Sequence, residues 1–144
     1  MTTTKTHPLN IVLVEDDDVD AKCIRRAFAQ AKIANPVIRA IDGVMALETL
    51  RGMTGDAPDR PYLLLVDVNM PRMNGHEFVR EIRADPALRD SIVFMLTTSS
   101  AREDIAQAYA CNVAGYVVKE RAGADLLALV DTLDAYWRLV EMPV

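Results

Sequence analysis

Acidic side chains follow two short apolar runs of this sequence. Asp67 ends the run 62–66, and Glu15 and Asp16 follow the run 10–14. Short apolar runs bounded by turn residues are typical of buried strands. Open α/β sheets place their ligand chemistry at the carboxyl ends of the strands. If the two strands are neighbours, the three carboxylates meet in one pocket.

A pocket with three carboxylates has to bind a cation or take up protons. Two carboxylates about 4 Å apart repel each other by about 4 kcal/mol at an effective dielectric constant of about 20. Oxygen ligands in a partly open site suit Mg²⁺, which keeps some of its waters and shares ligands with phosphate. We predict a magnesium site formed by Asp16, Asp67 and the backbone carbonyl of Asn69, with Glu15 acting through water.

Two further strand ends add a hydroxyl group and a cation. The run 92–97 ends in Thr97, and the run 116–118 is followed by Lys119. Phosphoryl transfer to a carboxylate requires an in-line nucleophile and neutralised phosphoryl oxygens. We predict that Asp67 attacks and becomes an acyl phosphate. Thr97 then donates to a phosphoryl oxygen, and Lys119 balances charge together with Mg²⁺.

The elements that must position these side chains alternate along the chain. The predicted strands are 10–14, 37–40, 62–66, 92–97 and 116–118. The first predicted helix is capped by Asp17 or Asp18 and runs to about residue 31, and the other predicted helices are 44–50, 76–83, 101–110 and 124–141. Five alternations predict a doubly wound α/β fold with a parallel sheet and helices on both faces. A strand order of 2-1-3-4-5 would place the first and third strands side by side.

Length and composition favour one globular domain. The sequence has 144 residues, 51% of them apolar, and a formal net charge of −5. This charge argues against a nucleic-acid-binding surface, which is usually basic. No apolar run approaches the roughly 20 residues that span a bilayer. We expect residues 1–8 to be a flexible leader and 9–144 to form one cytoplasmic domain that binds neither nucleic acid nor membrane.

Four segments of the sequence carry a family resemblance. They are Val14-Glu15-Asp16-Asp17, residues 66–75, Leu96-Thr97-Thr98-Ser99 and Gly115-Tyr116-Val117-Val118-Lys119. In this order they resemble the receiver domain of two-component response regulators, over about residues 9–138. The resemblance implies a flavodoxin-like fold and phosphorylation of Asp67 by a histidine kinase. It also implies that Thr97 and Tyr116 are switch residues.

Other segments are similar to the single-domain regulators that partner bacterial phytochromes. These segments are the loop 52–61, the run 96–100 and the terminal pair Tyr136-Trp137. The similarity implies a bacteriophytochrome as the kinase. We expect no output domain, so that the signal passes to an unidentified protein or along a phosphorelay. A homodimer is a further expectation, with Tyr136 and Trp137 as interface candidates.

One position departs from the family pattern. The family usually has proline after the lysine, with a cis bond between them, whereas this chain has Glu120 after Lys119. A cis bond before a residue other than proline costs about 2.5–4 kcal/mol. Either surrounding contacts hold that bond cis, or the bond is trans and Lys119 approaches from a shifted backbone.

Three other functions remain open from the sequence. An aspartate-nucleophile phosphohydrolase would use a similar carboxylate, although Asp67 lies on the third strand and no cap domain is evident. A flavin or nucleotide binder would need an anion-binding loop where Glu15-Asp16 stand. A scaffold that is not phosphorylated would keep only the fold. His7 and His76 lack neighbours at metal-ligand spacing, and we expect both to be exposed.

Overall fold

Five strands and four helices make up the described part of the computed structural model, which comprises residues 10–30, 36–55, 57–59, 62–97, 102–118 and 135. The strands are β1 Asn10–Val14, β2 Val37–Ala40, β3 Tyr62–Asp67, β4 Ile92–Thr97 and β5 Gly115–Val118. The helices are α1 Asp18–Gln30, α2 Gly43–Leu50, α3 Gly75–Ala84 and α4 Arg102–Ala110. Each strand is followed by a helix up to β5, as the alternating sequence pattern predicts.

The strands form one parallel sheet in the order β2-β1-β3-β4-β5. This order confirms the predicted flavodoxin-like, doubly wound fold. The predicted fifth helix, residues 124–141, lies outside the described residues except for Ala135, which is helical. Within the described ranges, no helix combines the length and the apolar character needed to cross a bilayer.

Apolar side chains cover both faces of the sheet. On one face, Val12 and Leu64 belong to a cluster with buried residues of α2 and α3, and Ala108 of α4 joins them. On the other face, Leu13 and Leu65 pack with buried residues of α1. A strand buried on both faces reads as a continuous apolar run. The polar residues that follow these apolar runs therefore lie at the edge of the sheet.

The helices begin close to the strand ends because side chains cap them. Asp17 accepts the backbone N–H of Asp20 at 2.9 Å at the start of α1. Asn74 and Glu77 form a capping box at the start of α3, with bonds of 2.9 and 3.1 Å. Such caps satisfy N–H groups that the helix itself leaves unpaired. They hold the loops of the carboxyl edge in place.

Candidate functional site

The carboxyl ends of β1 and β3 bring three carboxylates together. β1 and β3 pair in register, with Val14 opposite Val66. Glu15, Asp16 and Asp67 each offer one carboxylate oxygen, and these oxygens lie within 4.8 Å of one another. Glu15 and Asp67 are buried, while Asp16 is exposed. The cluster therefore has a buried floor and one carboxylate at its mouth.

The donor set of this cluster fits a hard divalent cation. Every side-chain donor is a carboxylate oxygen, the ligand type that Mg²⁺ and similar ions prefer. Asn69 lies beside the cluster, because its backbone N–H approaches an oxygen of Asp67 at 3.4 Å. Like charges this close favour uptake of a cation or a proton. The residues present could therefore hold a metal ion together with backbone and water oxygens.

Thr97 lies at the same edge as Asp67. β3 and β4 pair with Asp67 opposite Leu96, so Thr97 follows one position further along β4. Thr97 is fully buried. On the neighbouring strand β5, Tyr116 pairs with Met95 and packs half-buried against the apolar core.

Three of the predicted site residues cannot be located at this edge. Lys119, Tyr136 and Trp137 lie outside the described residues. The peptide bond between Lys119 and Glu120 lies outside them as well, so the choice between cis and trans stays a prediction. Their predicted parts in charge neutralisation and in an interface stay predictions.

Gly75 allows α3 to begin directly against the backbone of Asp67. The N–H of Gly75 donates to the carbonyl of Val68 at 2.8 Å. A Cβ atom at position 75 would lie 2.5 Å from the backbone oxygen of Asp67 and 2.8 Å from the Cα of Val68. Real Cβ atoms do not come this close to backbone. Only glycine therefore fits between α3 and the residue that ends β3.

We expect Gly75→Ala to lower the free energy of unfolding by about 1–3 kcal/mol, since overpacking forces the backbone to shift. Gly43→Ala is a matched control, because Gly43 is the first residue of α2 after the cap Asp42, just as Gly75 is the first residue of α3 after the cap Asn74. A Cβ there would meet only the flexible side chain of Met73, at 2.9 Å. Urea unfolding of both variants measures the difference. Equal losses in the two variants would contradict this account.

An ion pair joins the β3–α3 loop to the start of α2. The Nε of Arg72 lies 2.7 Å from an oxygen of Asp42, whose other oxygen accepts the N–H of Met45. Arg72 adopts a φ of 63°, which is unusual for a residue with a side chain. Sequence reasoning did not find this pair, because its partners are 30 residues apart. It fixes a loop that also carries Asn69.

The Asp42–Arg72 pair makes stability depend on pH. The hydrogen bond from Arg72 is the largest cause that lowers the folded-state pKa of Asp42 below 3.8. A lowered pKa contributes stability above 3.8 that is lost as the pH falls through the folded-state value. We expect a double-mutant cycle of Asp42→Asn and Arg72→Gln to show coupling at pH 7. Urea unfolding at acidic pH should show this coupling vanish, and coupling that persists there would refute the assignment.

His76 is buried, so the expectation that it would be exposed was wrong. Its side chain is only 5% exposed, and neither ring nitrogen has a hydrogen-bond partner within the part of the chain that the structure describes. Burial is the largest cause that lowers the pKa of His76. The spacing of His76, Val79 and Ile82 at i, i+3 and i+6 puts all three on the buried side of α3. That spacing was the signal in the sequence.

Comparison with known proteins finds one family over most of the chain. The family model of the response regulator receiver domain matches residues 11–131. The probable methanogenesis regulatory protein FilR2 of Methanothrix harundinacea is 34% identical over 130 residues, which are 90% of this chain and 84% of that protein. The response regulator Rcp1 of Synechocystis is 33% identical over 132 residues, which are 90% of this chain and 89% of that protein.

Two crystal structures share the fold and most of the length of this chain. The phosphorylated cyanobacterial phytochrome response regulator RcpA superposes with a TM-score of 0.83 at 30% identity, over 96% of this chain and 100% of the other. The Mn²⁺-bound form of the response regulator Rcp1 superposes with a TM-score of 0.81 at 30% identity, over 95% of this chain and 100% of the other. The family model spans both strand ends that carry the carboxylates.

Proposed function

This chain belongs to the response regulator receiver family, and from that premise we propose that Asp67 accepts a phosphoryl group from a histidine kinase. The observation that carries the proposal is the meeting of three carboxylate oxygens within 4.8 Å at the ends of two adjacent strands. Asp67 belongs to that cluster and ends the central strand β3. Three neighbouring carboxylates suit phosphoryl transfer, because some of their oxygens can bind a cation while one oxygen of Asp67 receives the phosphoryl group.

The transfer step follows from the position of Asp67. One of its carboxylate oxygens attacks phosphorus, while the bond from phosphorus to the histidine nitrogen of the kinase breaks. The electron pair of that bond returns to the imidazole ring, which takes up a proton. The product is an acyl phosphate on Asp67. The burial of Asp67 limits the access of water to this product.

The remaining residues of the site have separate tasks in the proposal. Asp16, Asp67 and the backbone carbonyl of Asn69 would hold Mg²⁺, with Glu15 acting through water. When bound, the ion supplies positive charge for the phosphoryl oxygens. The hydroxyl group of Thr97 donates a hydrogen bond to one of these oxygens, and Lys119 adds a second positive charge.

The output of the switch is a change in protein contacts. A new anion at Asp67 biases a two-state equilibrium. In this proposal Thr97 moves toward the phosphoryl group, and the ring of Tyr116 turns inward after it. The surface beside β5 then binds a target protein or a second copy of the chain, with Tyr136 and Trp137 as anchors.

We place the protein in the cytoplasm, beside a sensor kinase of the bacteriophytochrome type. RcpA, a phytochrome response regulator, is similar to this chain over nearly its whole length, and this similarity supports the kinase type. The chemistry of the chain itself ends at the acyl phosphate, apart from slow self-hydrolysis. Transfer of the phosphoryl group to a further histidine would make the protein a phosphorelay intermediate.

Phosphoryl uptake in solution tests the proposal. The protein is incubated with acetyl phosphate and MgCl₂, and its intact mass is measured before and after the incubation. A parallel reaction contains a chelator from the start. We expect a mass gain of one phosphoryl group with Mg²⁺ and almost none with the chelator. An unchanged mass under both conditions would reject the function.

A further inference from the structure

The guanidinium group of Arg39 bridges both ends of the turn that carries Asp16. Its Nε donates to the backbone carbonyl of Glu15 at 2.9 Å. One of its terminal nitrogens donates to the carboxylate of Asp18 at 2.7 Å. Asp16 stands between these two anchor points in the sequence. One side chain therefore holds the start and the end of this four-residue turn.

Arg39 is held in place by the sheet and by burial. It pairs with Leu13 in the register of β2 and β1, and the N–H of Glu15 extends this pairing to the carbonyl of Ala40 at 3.0 Å. The Arg39 side chain is only 19% exposed. Its second terminal nitrogen is buried and has no hydrogen-bond partner within the described ranges. An unpaired buried donor has an energetic cost, and the hydrogen bonds to Glu15 and Asp18 help to offset it.

We propose that Arg39 is a positioning residue for the divalent-cation site. It touches neither the cation nor the phosphoryl group, and it acts by fixing the backbone that carries Glu15 and Asp16. Mg²⁺ demands a near-ideal arrangement of its ligands, and groups that orient metal ligands commonly set affinity. The inference rests on the proposed function, because it assumes that the three-carboxylate cluster binds a cation.

Charge and positioning predict opposite effects when Arg39 is replaced. Arg39 puts a positive charge next to a site for a cation, so removing that charge alone should strengthen cation binding. Loss of the two hydrogen bonds frees the turn, so Asp16 no longer meets Asp67 in a fixed geometry, and binding should weaken. The sign of the change in the dissociation constant therefore separates the two effects.

The test is Mn²⁺ binding to the protein in the absence of any phosphodonor, with free Mn²⁺ measured by electron paramagnetic resonance and Mg²⁺ as competitor. We expect Arg39→Gln to raise the dissociation constant about 10-fold, as is typical for groups that orient metal ligands. Arg51→Gln is the matched control, since it breaks an ion pair of 3.0 Å with Asp85 at the far ends of α2 and α3. The dissociation constant of this control should stay unchanged.

A second variant keeps the test decisive if Arg39→Gln does not fold. Arg39→Lys keeps the charge but cannot reach both partners with one planar group, and we expect it to weaken Mn²⁺ binding as well. An unchanged or lower dissociation constant in a folded Arg39 variant would overturn the inference. Absence of Mn²⁺ binding in the unaltered protein would instead contradict the proposed function. Equal Mn²⁺ binding by the unaltered protein and by both variants would overturn the inference about Arg39 and would leave the proposed function intact.

Discussion

The variant Asp67→Asn is expected to take up no phosphoryl group from acetyl phosphate, whereas the unaltered protein gains one. The substituted amide has nearly the same shape as the carboxylate, so it fits the buried position at the end of β3. An amide is not a nucleophile of comparable strength, and the step that forms the acyl phosphate is lost. Intact mass after a fixed incubation measures the loss, which should exceed about 100-fold, or about 2.7 kcal/mol in the barrier.

Two controls accompany Asp67→Asn: a variant with the same change of charge elsewhere, and a measurement of folding stability. Asp59→Asn removes an acid outside the cluster and should leave uptake unchanged. In metal-free solution, Asp67→Asn should raise the free energy of unfolding by about 1–3 kcal/mol, because one of three neighbouring charges is removed. A variant that is folded and still gains a phosphoryl group would show that Asp67 is not the acceptor.

The variant Arg83→Ala is expected to lower the free energy of unfolding by about 3 kcal/mol, because a partly buried network of several hydrogen bonds is lost. The guanidinium of Arg83 donates to four backbone carbonyls at 2.7–2.9 Å, and burial lowers its pKa. Two of the acceptors, Cys111 and Asn112, follow α4, whose carboxyl end attracts positive charge. The other two, Arg89 and Ser91, precede β4. Arg83 thus joins three separate segments.

Two variants on α3 test this interpretation by urea unfolding. Arg80→Ala removes an exposed arginine one turn earlier and should change stability by less than about 0.5 kcal/mol. Arg83→Lys keeps the charge but loses the fixed fork of donors, and it should retain only part of the stability. If Arg83→Ala and Arg80→Ala unfold at the same urea concentration, the four hydrogen bonds contribute little.

The strands and the acidic residues at their ends follow from local patterns in the sequence, whereas the strand order 2-1-3-4-5 comes from the doubly wound fold class. The run that ends in Asp67 contains no polar residue before it, and such a strand must be covered on both faces. In the run before Glu15, the four residues 11–14 are likewise all apolar. Once two such strands are adjacent and parallel, their carboxyl ends meet at one edge. The alternation of strands and helices therefore predicted the sheet, and the strand order of that fold class predicted the acidic cluster.

The hydrogen bonds of three arginine side chains could not be predicted in the same way. Arg39, Arg72 and Arg83 each bind groups that are remote in the sequence or belong to the backbone. A long side chain can reach many partners, and only the folded chain selects among them. The sequence patterns for strands and helices carry no information on these pairings. His76 differs, because its helical spacing carried the signal for burial on α3, although we expected it to be exposed.

The position of the phosphoryl group tests the central claim most directly. After incubation with acetyl phosphate and Mg²⁺, borohydride reduces an aspartyl phosphate to homoserine, and tandem mass spectrometry of the peptides locates it. The proposed function predicts homoserine at position 67 and at no other aspartate. Homoserine at Asp16 or elsewhere, or its absence from position 67 despite a mass gain, would contradict the account.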